Sequence, residues 1–213
     1  MVFFRSVCLF IILSSTANAT NHWQLNKQEN GIQIYVRDSS TSAVDSFKGV
    51  VTLPASLSAL VALLDDTKIY TQLLHDCKSA QVVKVLGENQ SYKYIVTNMP
   101  WPVKDRDMIV HSVLTQNLKT KQVIINMKSA PKFVALKANR VRIKNMTGRW
   151  ILTPAGKGMT KVVYEMNVDP AGDLPKWLVN TLSVDIPYFT LNNLRKLVKK
   201  REYQSAKLSN VIN

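Results

Sequence analysis

The chain has 213 residues, with 28 Lys and Arg against 14 Asp and Glu, a formal charge of +14 and 46% apolar residues. That length supports one domain with a sizeable core. The basic balance suits anionic lipid, nucleic acid or an acidic partner and excludes none of them alone.

Residues 1–19 read as a signal peptide outside the fold. Arg5 supplies the positive start, residues 7–13 form an apolar run too short for a membrane span, and Ala17-Asn18-Ala19 is an A-x-A cleavage site. The expectation is a single domain over residues 20–213, soluble and either periplasmic or secreted, and export argues against nucleic acid. Cys8 leaves with the signal, so Cys77 stands alone; no internal disulfide and no cysteine-based zinc site follow. Cys77 reads as a small half-buried residue.

Residues 23–28 predict a short helix closed by Asn30-Gly31. Ile32, Ile34 and Val36 then alternate with polar residues as a first strand. A second strand covers 46–53, Pro54 ends it, and a helix follows over 55–64 with Leu57, Leu60, Val61 and Leu64 on one face. A short helical piece covers 69–75. Period two then predicts strands at 79–86, 91–98, 106–115, 122–127, 140–153 and 160–168, separated by turn residues such as Pro100-Trp101-Pro102 and Pro154-Ala155-Gly156. From Pro175 onward, apolar residues recur at spacings of three and four through Trp177, Leu178, Leu182, Ile186, Phe189, Leu194 and Val198, an amphipathic helix that Pro187 should kink or split. The cations at 195–201 complement that helix's C-terminal dipole or face a membrane.

This order gives an α+β fold: sequential strands joined by short turns make an antiparallel meander, curved strongly and crossed by one long C-terminal helix. A widely curved sheet is not automatically filled by its own side chains, which leaves room for a cavity.

Several segments together resemble START domains, the steroidogenic-acute-regulatory-related lipid-transfer family. They are Trp150-Ile-Leu-Thr-Pro154, Gly158-Met-Thr-Lys-Val-Val-Tyr-Glu165 and Asp169-Pro-Ala-Gly-Asp-Leu-Pro-Lys-Trp-Leu-Val-Asn180, with Arg106-Asp107-Met108 upstream and Trp23 with Gly31-Ile-Gln-Ile-Tyr35 at the start. Met108 stands where the family usually has an aromatic residue. The resemblance implies a helix-grip fold, a curved antiparallel sheet around the C-terminal helix with an apolar tunnel between them. It also implies lipid or another apolar ligand, transient contact with a membrane surface, and neither metal nor organic cofactor. The sterol-binding branch carries a buried Arg six positions after the motif's Arg; here that position is Ser112. The chain is expected to be a monomer.

Period two puts Arg106, Met108, Val110, Ser112 and Leu114 on one strand face, the candidate tunnel wall. Leu178, Leu182, Ile186 and Phe189 are the candidate wall from the last helix. Asp105, Arg106 and Asp107 read either as a salt-bridge network holding the sheet to a loop or as an Arg that holds an anionic headgroup. Glu165 sits on a half-buried strand and needs a partner. No G-x-S-x-G, H-E-x-x-H or phosphate-cradling glycine loop is present. The alternatives to lipid transfer are an enzyme using Glu165 or His111 as acid or base, and a sensor or chaperone that presents its ligand without transferring it. Trp101 and the early turns of the last helix suit a membrane interface, with residues 170–175 as hinge and Pro187 as flexure.

Overall fold

A computed structural model describes residues 22–39, 42, 44–172 and 174–213. The expected signal peptide lies outside the described residues. The chain opens with β1 Gln24–Glu29, β2 Ile32–Arg37 and β3 Ser46–Leu53, then α1 Leu57–Asp65, a 3-10 turn and α2 Tyr70–Leu73. β4 Cys77–Val85, β5 Gln90–Thr97, β6 Arg106–Gln116, β7 Val123–Ser129, the two-residue β8 Val141–Arg142, β9 Asn145–Pro154 and β10 Thr160–Asp169 follow. The chain closes on α3 Lys176–Asn180, a π-helical turn Thr181–Asp185, α4 Ile186–Leu197 and α5 Arg201–Gln204.

The strands form one curved sheet in the order β1-β2-β3-β10-β9-β7-β6-β5-β4, every neighbour in that path antiparallel. β8 joins β6 in parallel. Alternation turns Ile32, Ile34, Phe47, Val51, Val110, Trp150, Val162 and Tyr164 to the inner face, where they share one core with α1, α2 and α4. α4 crosses β2 and β3 with Leu191 and Leu194 fully buried; each such side chain contributes about 2 kcal/mol by leaving water. Gly49 makes the approach close. A Cβ there would sit 2.6 Å from Leu191 Cδ1.

Two expectations change, and the break expected at Pro187 takes a particular form. Residues 23–28 are a strand, because Asn30-Gly31 is a two-residue hairpin turn with both residues at positive φ (50° and 71°) rather than a helix end. Residues 140–153 are two strands: β8 pairs with β6 and β9 with β7 and β10, so the chain changes partner at Ile143-Lys144. The last helix is not one α-helix. Pro187 has no N–H to give, and the chain widens into a π turn just ahead of it, where Ile186 N–H reaches the Thr181 carbonyl five residues back.

Arg106 and Asp107 are neighbours that point to opposite faces. Arg106 is buried and donates from Nη1 to the Lys104 carbonyl (2.6 Å), from Nε to that of Pro170 (3.2 Å) and from Nη2 to that of Ala171 (3.1 Å), which clamps the link between β10 and α3 to the sheet. Asp107 accepts two hydrogen bonds from Arg142 (2.7 and 3.0 Å) and one from the Tyr94 hydroxyl (2.6 Å). Arg142 in turn donates to the carbonyls of Pro131, Val134 and Ala135, so the pair staples the 131–135 loop over the outer face. Of the two readings of this cluster, the network that ties sheet to loops is what the contacts form.

Burial opposes ionisation of Asp107, but the donors from Arg142 and Tyr94 outweigh it and hold the carboxyl below its usual range. A depressed carboxylate stabilises the fold above its unfolded pKa of about 4 and loses that contribution as pH falls through the folded value. Asp107→Asn should therefore lower urea-unfolding stability at pH 7 by about 3 kcal/mol, since it strands a buried guanidinium. The gap from wild type should narrow as the pH is taken below 4. Equal stability of the two proteins at pH 7 would contradict the staple.

Candidate functional site

A cavity of about 540 Å³ lies on the inner face between α1, the β4–β7 strands, β9 and residues 208–210. It forms because α1 bridges the sheet with small and aliphatic side chains, Val61, Ala62 and Leu64, while the sheet curves away beneath it. Leu114, Ile125, Met127 and Trp150 make the apolar floor. Trp150 is held flat against Tyr164, ring centroids 3.9 Å apart, so the floor is rigid. Ser91 and Ser112, buried cross-strand partners, add two hydroxyls.

Lys93 brings a charge into this wall. Its side chain is 5% exposed. Its ammonium donates to Asp65 Oδ1 (2.7 Å), to the Tyr70 hydroxyl (3.1 Å) and to the Leu64 carbonyl (3.3 Å), and the Tyr70 hydroxyl donates to the same carbonyl at 2.7 Å. Burial opposes the charge, yet Tyr70 and Asp65 outweigh it and keep the ammonium above its ordinary range. Burial pushes the Tyr70 hydroxyl up as well, so it remains a neutral donor.

Of the residues that sequence periodicity proposed for the wall, Ser112 and Leu114 line the cavity. Met108 and Val110 point to the same inner face but pack into the main core. Arg106 is engaged with the three carbonyls. Leu178 and Leu182 are buried in a separate cluster with Val44 and Met99, and Ile186 packs against it. Phe189 is 37% exposed and lies against His75 and Tyr188. The wall opposite the sheet is thus α1 and residues 208–210. Sequence reading passed over Lys93, although period two set it between Ser91 and Ile95 on a core-facing strand, which was the available signal.

Glu165 is bonded to Arg149 directly across the strands at 2.7 Å, beside a groove of about 360 Å³ that also holds Trp23 and Arg37. His111 stacks on Tyr92, which stacks on Phe133. Neither Glu165 nor His111 lines the cavity. Burial pushes the Cys77 thiol up to about 11, which keeps it unreactive at neutral pH. Among the described residues no group of His, Cys, Asp and Glu is placed to hold a metal.

Comparison with known proteins gives a consistent picture. The START domain model matches residues 11–203. An uncharacterised Pseudomonas aeruginosa protein is 32% identical over 179 residues, covering 84% of this chain and 88% of its own. Phosphatidylcholine transfer protein of Mus musculus is 26% identical over 185 residues, 83% of each chain. The crystal structure of a STAR-related lipid transfer protein from Xanthomonas axonopodis superposes with a TM-score of 0.76 at 30% identity, over 84% of this chain and 99% of that one.

The Lys93 cluster makes an asymmetric prediction. Lys93→Met replaces a buried cation by an apolar side chain of similar length and should change urea-unfolding stability by less than about 1 kcal/mol. Asp65→Ala leaves the ammonium buried beside neutral acceptors and should cost about 1–2 kcal/mol, a value reduced because Asp65 is itself 72% exposed. The reverse ranking would mean that the ammonium is not buried as described.

Proposed function

The chain belongs to the START domain family, and from that premise we propose that it is an exported protein that binds a lipid in the cavity beneath α1 and carries it between membranes. The carrying observation is the cavity itself: about 540 Å³, with an apolar floor and a rim of polar and charged groups, concave and large enough for a small-molecule site. At about 30 Å³ per water-sized group, it holds on the order of 18 such groups, which suits one acyl chain or a single-chain amphiphile. Burying about 15 methylenes at ~0.8 kcal/mol each gains roughly 12 kcal/mol. A bilayer offers the same chain a similar gain, so such a protein only needs to match the membrane and lower the barrier to exit.

Export rests on residues 1–19, and the periplasm or the exterior is the compartment that reading implies. Transient contact with a membrane belongs to the same reading, and Trp101 and Trp177, 91% and 56% exposed, are one candidate surface for it. They flank the cluster where Met99 and Val103 meet Leu178 and Leu182, and indole rings favour the bilayer interface. A monomer is the working state. The enzyme reading draws less support, because Glu165 and His111, its acid and base candidates, both stand away from the cavity.

A bulky side chain in the floor separates a ligand site from a packing defect. Ser112→Trp should abolish binding of a fluorescent fatty acid while leaving the protein folded by circular dichroism, and Phe189→Ala, remote from the cavity, should keep binding within about twofold. If Ser112→Trp binds the probe as wild type does, the ligand is held elsewhere and the proposal fails.

A further inference from the structure

Residues 205–213 follow α5 without regular secondary structure and lie beyond the family match, which ends at residue 203. They are nevertheless tied down along their length. Asn210 Nδ2 donates to the Glu88 carbonyl (3.0 Å) and to Asn89 Oδ1 (2.8 Å). Ser209 Oγ donates to Glu88 Oε1 at 3.2 Å. Ile212 N–H donates to Gln116 Oε1 (2.9 Å) while Gln116 Nε2 donates to the Ile212 carbonyl (2.7 Å). Asn213 and Ser58 form a similar reciprocal pair. Leu208, Ser209 and Asn210 line the cavity, so this strap crosses its mouth.

Across that mouth lies β4, a free edge of the sheet. Val82 and Val85 line the cavity and are 45% and 61% exposed, and Leu86 beside them is 42% exposed. Exposed aliphatic residues on a cavity rim mark a surface that meets something apolar. Lys84 and Lys207 are exposed on the same two elements, which suits an anionic surface. Of the acidic groups at the rim, Asp65 is paired with Lys93, while Asp66 and Glu88 accept hydrogen bonds from the neutral hydroxyls of Tyr203 and Ser209.

Two segments compete as the moving part. α4 is fixed by Leu191, Leu194 and Val198, none of which is exposed. The strap is fixed mostly by hydrogen bonds between exposed groups, which exchange readily for water, with Val211 buried, Leu208 packed against the core and Asn213 bonded to the buried Ser58. The less stable segment opens first.

We propose that residues 205–213 are the lid of the cavity, and that a ligand passes through the slot between this strap and β4 while Val82, Val85 and Leu86 rest on an anionic bilayer. This rests on the lipid reading above. Its test measures transfer of a pyrene-labelled fatty acid from phosphatidylcholine–phosphatidylglycerol vesicles to the full chain. Asn89→Cys with Asn210→Cys, in a Cys77→Ser background, joins lid to hairpin on oxidation. Transfer by the oxidised protein should be at least tenfold slower than by the same protein after reduction. If the thiols stay reduced, Gln116→Ala with Asn210→Ala decides: it should speed transfer several-fold. Transfer indifferent to the disulfide, or to the loosened strap, overturns the lid and leaves lipid binding intact. A probe that never enters the wild-type protein overturns the lipid reading and the lid together.

Discussion

A β-strand sends consecutive side chains to opposite faces, and Arg106-Asp107 uses that alternation to hold two layers to one sheet. Inward, Arg106 grips the carbonyls of Pro170 and Ala171 and so sets where the chain leaves β10 for the C-terminal helices. Outward, Asp107 grips Arg142 and, through it, the 131–135 loop. Burial weakens the charge preference of Arg106 and lowers its pKa, yet three carbonyl dipoles replace its water. The clamp sets where the segment through α3 and the π turn begins, and α4 then seats itself by burying Leu191 above Gly49.

The seating of α4 decides where the hollow falls. α4 fills the β2–β3 side of the sheet completely, with Leu191 and Leu194 buried. On the β5–β7 side the covering element is α1, which is shorter and presents Val61, Ala62 and Leu64. Space therefore survives beneath α1 rather than beneath α4. Its walls are stiff where Trp150 lies on Tyr164 and polar where Lys93 reaches Asp65 and Tyr70. A buried ammonium in such a wall is held because Asp65, the Tyr70 hydroxyl and the Leu64 carbonyl converge on it. A ligand head meeting that wall finds the Lys93–Asp65 pair and two serine hydroxyls above an apolar floor.

Most of the architecture was legible in the sequence, and the exceptions have local causes. Period two marked strands such as β9 and β10 because alternate residues there are buried. Residues 23–28 hid their strand because that edge strand is exposed almost throughout and carries no alternation; the Asn30-Gly31 turn was the better guide. Pro187 announced a break in the last helix, but not that a π turn would absorb it. The site was legible only in part. Periodicity tells which residues share a face, and it put Ser112 and Leu114 on the right one. It does not tell which part of that face stays uncovered, since that depends on α1 and on residues 208–210, far away in sequence. Leu178 and Leu182 read as cavity wall for that reason and are packed instead against Val44 and Met99.

The central claim is that this cavity is built to be filled by an apolar molecule. Native mass spectrometry of the protein purified from its own compartment tests it most directly. The expected spectrum shows a species heavier than the polypeptide by the mass of one lipid, released by organic solvent and regained on incubation with lipid vesicles. A protein that flies only at its polypeptide mass, whatever lipid concentration it has met, would contradict it.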